Sequence, residues 1–476
     1  MNETWMLDNC TMGTCTGNNT VSVVPVTCPS AHPITCQNGL QPKKVYDQSG
    51  CCYQYECDCV CAGWGGSHYL TFDGTDYTFQ GNCTYILVKQ IKEVIKGFKI
   101  YIDNYFCDVQ KDLSCPKAII VFYKSSVITL IQMTVNSTVK TKALVNGQEI
   151  IQPYYHDGIR ISSSGITVKV EIIAINSTVT FDGLDFTIDL PYKIFGKNVE
   201  GQCGTCTNSS TDDCTLPDGT VVPSCSHSAP FWHVKDKNKP HCEAGNTTPS
   251  PIQPSTVSHM ETTTTMSTVP TTPCVPSDIC KIILGPAFSK CHDVVPPGPY
   301  YEACVHDGCH MRNDIIICSS LAIYAKICKS EGGICVNWRE HTNGSCLYHC
   351  PATMEYKSCE PKEQPTCSSR YTDRNVPSDK SDHNEGCFCP DGKFLFAPLD
   401  ICVDICECIG PDGKPRQIGE TWQSNCQDCF CNNATMNVVC KAHKCPPSPA
   451  KVCNGQGFVP VVQRSQHDHC CTETMC

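Results

Sequence analysis

Three stretches of this sequence carry residue types and spacings that could do chemistry. "CAGWGGSHYLTFDGTDYTFQGNC", from Cys61 to Cys83, sets His68 and Asp73 behind a glycine-rich lead. "CGTC", Cys203 to Cys206, has the C-x-x-C spacing that can lower thiol pKa values in disulfide-exchange enzymes. "CTNSSTDDC" concentrates Asn208, Asp212 and Asp213 on one loop, the oxygen-rich composition that a hard cation such as Ca2+ requires. Each stretch also has a plainer reading. No nucleophile with a positioned acid partner accompanies His68, which points to a histidine packed at the start of a strand. No thioredoxin-like βαβ pattern surrounds "CGTC", so its cysteines read as structural cystines.

Sulfur dictates what must position these groups. The chain has 476 residues, 43 of them cysteine. Such a density belongs to short secreted scaffolds. Sustained over this length, it implies an array of small disulfide-held modules around one larger domain. Zinc is the rival use of cysteine, but the spacings form neither paired C-x2-C blocks of ribbon type nor a C-x2-C…H-x3-H pattern. Sequons headed by Asn2, Asn9, Asn18, Asn82, Asn136, Asn176, Asn208, Asn246, Asn343 and Asn433 fit an N-glycosylated extracellular surface. The formal charge of −11 argues against nucleic acid and is compatible with cation binding. No apolar run reaches the ~18 residues of a membrane helix, so no membrane insertion is expected. "MNETWMLDNC" lacks the basic and apolar regions of a signal peptide, and a secreted composition without one reads as a piece of a longer protein. The odd cysteine count leaves at least one thiol free, paired between chains, or separated from its partner.

Cysteine spacing alone reveals a repeat. Cys10, Cys15, Cys28, Cys36, the doublet Cys51-Cys52 and Cys57 resemble Cys440, Cys445, Cys453, the doublet Cys470-Cys471 and Cys476. The second copy also carries "CQDCFC" (Cys426, Cys429, Cys431), and the first is expected to begin without it. Between about residues 60 and 242 cysteine thins out and strand signals dominate. "ITVKVEI" alternates Ile166, Val168, Val170 and Ile172 with polar residues, while Asn146-Gly147 and Asp182-Gly183 mark hairpin turns. An antiparallel β-sandwich or barrel follows. Residues 243–273 are Thr/Ser/Pro-rich and read as an extended, O-glycosylated linker. Eight cysteines from Cys280 to Cys346 then form a compact block. Leu321, Tyr324, Ala325 and Cys328 recur there at helical spacing, so this module is partly helical. A loop-rich module from Cys350 to about Cys408 has too few apolar residues for a core and must depend on disulfides.

The entry "GWGGSHYLTFDG", the stretches "GNCTYILV", "YIDNY" and "YYEACVHDGC", and the exit "EGQCGTCTNSSTDDC" resemble those of a von Willebrand factor type D domain and its companion modules. Their order is similar to the C-terminal region of secreted gel-forming mucins of the intestinal type. The resemblance implies a multidomain, mainly β, disulfide-rich chain. Its expected parts are a truncated type C-like cysteine-rich module (1–59), a type D domain (60–242), the linker (243–273), an eight-cysteine domain (274–348), a trypsin-inhibitor-like cysteine-rich module (349–407) and a type C domain (408–476). It also implies the disulfides Cys61–Cys206, Cys83–Cys242 and Cys107–Cys115, leaving Cys203 to pair with Cys214 or Cys225.

The family often has Gly-Asp-Pro-His where this chain has Gly65-Gly66-Ser67-His68, so cleavage of an Asp-Pro bond is not expected here. Resemblance to the calcium loops of type D domains places Asp73, Asn208, Asp212 and Asp213 as ligands of a structural Ca2+. The loop departs from that pattern in being shorter, with Ser209-Ser210 where an aspartate is expected. The implied function is structural and non-enzymatic: an assembly region contributing to a disulfide-linked mucus polymer, through self-association and contact with other mucus proteins in the extracellular mucus layer. The alternative is an extracellular binding module, capturing growth factors through type C modules or inhibiting a protease.

Overall fold

The computed structural model describes residues 3–7, 10–17, 20–108, 113–135, 138–150, 152–235, 239, 242, 276–310, 313–361, 364–367, 383–396, 401–409, 415–432, 438–446, 453–454, 459–465 and 468–475. The stretch 243–273 and the sequon residues Asn2, Asn9, Asn18, Asn136, Asn246 and Asn433 lie outside the described residues. The chain divides into two compact units. One comprises Met1–His349 with Lys357–Glu360 and His383–Gly386; the other comprises Cys350–Tyr356, Pro361–Asp382 and Cys387–Cys476.

Alternation of apolar and polar residues builds the centre of the first unit, an antiparallel sandwich. One sheet runs in the order Gln148–Glu149, Thr138–Val145, Ser126–Val135, Leu113–Tyr123, Lys99–Asp108, Thr84–Gln90, Val199–Glu200. The other runs Tyr154–His156, Ile159–Ser163, Val168–Ile172, Ser177–Phe181, Phe186–Leu190, Cys59–Trp64, His68–Leu70, Asp76–Thr78. Val168, Val170 and Ile172 turn into a core shared with Ile100, Ile119, Val121 and Leu130, while Lys169 and Glu171 point away from it. The strand starts at Val168 rather than Ile166, because Ser164 N–H bonds the Thr167 carbonyl and closes a turn there. Asn146 and Gly147 have φ of 52° and 80°, the two positive values that a type I′ hairpin demands.

The strand Cys59–Trp64 is buried on both faces and joins two cores. Cys59 and Cys61 face the sandwich interior; Ala62 and Trp64 face a helical module. That module packs the helices Gly298–His310 and Asp314–Gly332. Asn313 caps the longer helix by accepting the Ile315 N–H, and Gly333 ends it with φ 63°. Leu321, Tyr324, Ala325 and Cys328 are all buried, together with Phe288 and Trp338. The disulfides Cys280–Cys304, Cys291–Cys328 and Cys318–Cys346 hold it. Cys335 bonds Cys359, so this module's sulfur framework extends past residue 348.

The modules at the two ends share one plan. In the first, Thr4–Leu7, Thr11–Gly17 and Thr20–Pro25 form a sheet, with Cys10–Cys51 and Cys28–Cys52 reaching the cysteine doublet. In the last, Thr421–Ser424, Gln427–Cys431 and Val438–Ala442 do the same, with Cys426–Cys470 and Cys445–Cys471. Trp5 pairs with Gly13 as Trp422 pairs with Cys429, and Cys15 N–H bonds the Glu3 carbonyl as Cys431 N–H bonds that of Glu420, both at 3.0 Å. Cys10 therefore matches Cys426 and Cys15 matches Cys431. This corrects the sequence expectation: the first copy does contain the "CQDCFC" strand, as "CTMGTC". What it lacks is one cystine. Gly13 faces Val23 at the register position where Cys429 and Cys440 are bonded.

The module between Cys350 and Cys406 has two small two-stranded sheets and the disulfides Cys350–Cys387, Cys367–Cys406 and Cys389–Cys402. Its largest described core cluster centres on three buried residues, Cys367, Phe396 and Cys406. No helix among the described residues is long and apolar enough to cross a membrane.

Candidate functional site

Two disulfides assemble the acidic loop. Because side chains alternate along a strand, Cys59 and Cys61 project to the same face. The segment Cys203–Cys206 runs beside them, and Gly204, at φ 73°, packs against Asp213, whose Oδ1 an added Cβ would strike. Cys61 consequently bonds Cys203 and Cys59 bonds Cys206. The expected Cys61–Cys206 bridge is thus replaced by two, and Cys203 does not pair with Cys214 or Cys225, which bond each other. The overlooked signal was "CVC", whose period of two matches a second half-cystine to each end of "CGTC". Cys83 bonds Cys242 and Cys107 bonds Cys115.

Asp73 follows the strand His68–Leu70 in a turn that the Phe72 N–H to Cys203 carbonyl bond (2.9 Å) fastens to this framework. Its buried carboxylate accepts the backbone N–H groups of Thr207 (2.7 Å), Asn208 (3.1 Å) and Ser209 (3.2 Å). Burial pushes its pKa up, against the lowering effect of those N–H groups. Asp212 accepts the Thr205 hydroxyl at 2.8 Å. Around the single hydroxyl of Thr207 lie Asp73 Oδ2 at 3.1 Å, Asp212 Oδ1 at 3.0 Å and Oδ2 at 3.2 Å, and the Ser209 carbonyl at 3.4 Å. One proton can serve only one of these four acceptors, so this is a convergence of oxygens that suits a hard cation.

The other two expected ligands turn elsewhere. Asn208 sits at φ 61°; its amide oxygen accepts Gln37 N–H at 2.8 Å and its Nδ2 donates to the Thr35 carbonyl at 3.1 Å. That amide clasps the N-terminal module. Asp213 faces inward, accepting the Thr71 and Thr75 hydroxyls at 2.7 Å each and Thr205 N–H at 3.2 Å. Burial raises its pKa to about 7. Of the remaining described sequon residues, Asn176 and Asn343 are exposed in left-handed turns (φ 45° and 49°), and Asn82 is half-buried.

The contact between sandwich and helices is the feature that sequence reasoning missed. Trp64 stacks on Tyr300 with centroids 5.3 Å apart and donates Nε1–H to Ser320 Oγ at 3.1 Å. His68 Nε2 lies 2.7 Å from Asp307 Oδ1. Lys326 bonds Asp182 and Asp185, the two carboxylates of the "FDGLDF" turn. Burial alone would lower the Lys326 pKa, but these two carboxylates hold it above its ordinary value. Burial and the neighbouring Asp182 push Asp185 well up. At 65–67 the turn leading into His68 has φ 57° at Gly65 and 71° at Ser67. Proline's ring fixes φ near −65°, so this turn shape cannot hold the family's proline at position 67.

Comparison with known proteins agrees with this architecture. Residues 61–220 match the von Willebrand factor type D domain and residues 279–347 the C8 domain. Over 100% of its length the chain is 42% identical to "Intestinal mucin-like protein" of Rattus norvegicus, of which it spans 55%. It is likewise 42% identical to "Mucin-2" and 41% identical to "Mucin-5B" of Homo sapiens, spanning 9% and 8% of those proteins. The chain is a homologue of the mucins, built around type D and C8 domains. A mucin homologue so densely cross-linked by disulfides is a secreted, extracellular protein.

Proposed function

We propose that this mucin homologue is an assembly region of a gel-forming polymer, non-enzymatic, extracellular in mucus, and self-associating through disulfide and non-covalent contacts. The carrying observation is homology to mucins along its whole length, in a chain where every module is cross-linked by sulfur. Each disulfide contributes roughly 2–4 kcal/mol by restricting the unfolded chain. Such modules stay folded in protease-rich fluid while glycosylated flanks hold water. The test is to express the full natural protein with and without this region and run both on non-reducing agarose. Reducible multimers that shorten on deletion support the proposal; an unchanged ladder overturns it.

A structural Ca2+ belongs to the same proposal. Asp73 and Asp212, with the Thr207 hydroxyl and the Ser209 carbonyl, are the groups that would hold it, tying the 207–213 loop to the 71–75 turn. Bound there, the ion supplies charge neutralisation for two close carboxylates. Calorimetric titration of the chelator-treated chain should show calcium heat and a raised thermal midpoint, both lost in Asp73→Asn. A flat titration with no thermal shift removes the ion from the account.

A further inference from the structure

The geometry points to a second metal site, distinct from the acidic loop: a transition-metal site for Zn2+ at the seam between sandwich and helices, formed by His68, His306 and Asp307. Two imidazole nitrogens and a carboxylate oxygen, contributed by two domains, lie within 4.8 Å of one another. His68 Nε2 is 2.7 Å from Asp307 Oδ1, and His306 Nδ1 is 3.5 Å from the same oxygen. Zinc takes nitrogen and oxygen ligands tetrahedrally at about 2.0–2.2 Å, which spaces neighbouring ligand atoms about 3.3 Å apart. The His306–Asp307 spacing already fits, and the His68–Asp307 pair has to open by about 0.6 Å on that geometry.

Charge supplies the second argument. The Asp307 side chain is 0% exposed. Among the described residues no lysine or arginine reaches it; its basic neighbours are the two imidazoles. A buried carboxylate needs a compensating positive charge, and a divalent cation held by neutral imidazoles provides it. The ligands are also held in place. His68 stacks on Trp64 with centroids 5.9 Å apart, and Gly66 N–H approaches Asp307 Oδ2 at 3.4 Å. The His306 side chain is 47% exposed, so the site opens to solvent on one side, giving an ion an entry path and leaving room for water as a fourth ligand.

The other histidine cluster, His443 with Cys445 and Cys471, offers no comparable site, because its two sulfurs are bonded to each other. His310 is the internal control. It stacks on His306 at 4.4 Å one helical turn away, so a merely superficial chelate would use the His306/His310 pair instead.

The test uses the tag-free chain at neutral pH, titrated calorimetrically with ZnCl2 in the presence of saturating Ca2+. One zinc per chain should bind, with a raised thermal midpoint. His306→Ala, a change at a half-exposed position, should weaken binding at least ~tenfold, whereas His310→Ala should leave it unchanged. Three results overturn the proposal: no saturable binding in the parent chain, full affinity retained in His306→Ala, or affinity lost in His310→Ala.

Discussion

Lys326 of the longer helix reaches Asp182 of the sandwich at 2.7 Å, so one ammonium group on the C8 domain neutralises a carboxylate turn on the type D domain. It also bonds Asp185, whose side chain is 1% exposed. Removing one partner of a buried ion pair leaves an uncompensated charge, at a cost of about 3–5 kcal/mol. Lys326→Met should therefore lower the first calorimetric transition, and adding Asp182→Asn with Asp185→Asn should recover much of the loss. If the triple variant is no better than Lys326→Met alone, the contact is not electrostatic.

The paired bridges beside the acidic loop can be told apart by matched deletions. Removing both partners of one cystine, as in Cys59→Ser with Cys206→Ser, should leave no new thiol in the secreted protein. The mismatched pair, Cys59→Ser with Cys203→Ser, should strand Cys61 and Cys206 as two new alkylatable groups, unless they then bond each other. Either outcome is read by mass spectrometry after alkylation without reduction. Two new thiols in the matched variant would contradict the Cys59–Cys206 and Cys61–Cys203 assignment.

Asp213 sets a pH dependence whose sign follows from its burial. Its folded pKa of about 7 stands above the ordinary 3.8, so the folded state holds the proton more tightly than the unfolded chain. The associated stability is fully present below about pH 4 and is lost as pH rises through about 7, by at most about 4 kcal/mol. Asp189 is raised to about 6 by burial, partly opposed by Lys43, and acts in the same direction. The discriminating measurement is consequently a difference. In chelator, between pH 5 and 8, the thermal midpoint of the parent chain should fall more than that of Asp213→Asn. Equal slopes would mean that Asp213 titrates normally.

Much of this architecture was legible because its causes are local. The two-residue period of "TVKVEI" and the helical spacing of Leu321, Tyr324 and Cys328 each follow from burying one face of an element. The acidic loop was half legible. Composition gathers Asn208, Asp212 and Asp213, but only the fold shows that Asn208 is claimed by Thr35 and Gln37 and Asp213 by Thr71 and Thr75. The seam between domains left almost no trace. His68 and Asp307 are 239 residues apart, and nothing periodic links them. "FDGLDF" looked like a turn and nothing more, since Asp is a good turn residue whether or not a lysine waits opposite.

Cys15 is the one free cysteine among the described residues, and the repeat gives its counterpart. It stands where Cys431 stands, with the same backbone hydrogen bond behind it, and Cys431 is bonded to Cys408, 23 residues earlier. No residue of this sequence stands at the matching position for Cys15. Fusing a copy of the segment Glu407–Gly419, whose one cysteine is Cys408, directly ahead of Glu3 should supply a matching half-cystine: the grafted cysteine then bonds Cys15, and alkylation without reduction no longer labels that residue. In the unextended chain alkylation without reduction should label Cys15 as a thiol, or, where it bridges two chains, label it only once the dimer is reduced. If Cys15 stays reactive in the fusion, or the fusion still dimerises through it, then this cysteine serves contacts between chains and its likeness to Cys431 ends at the backbone.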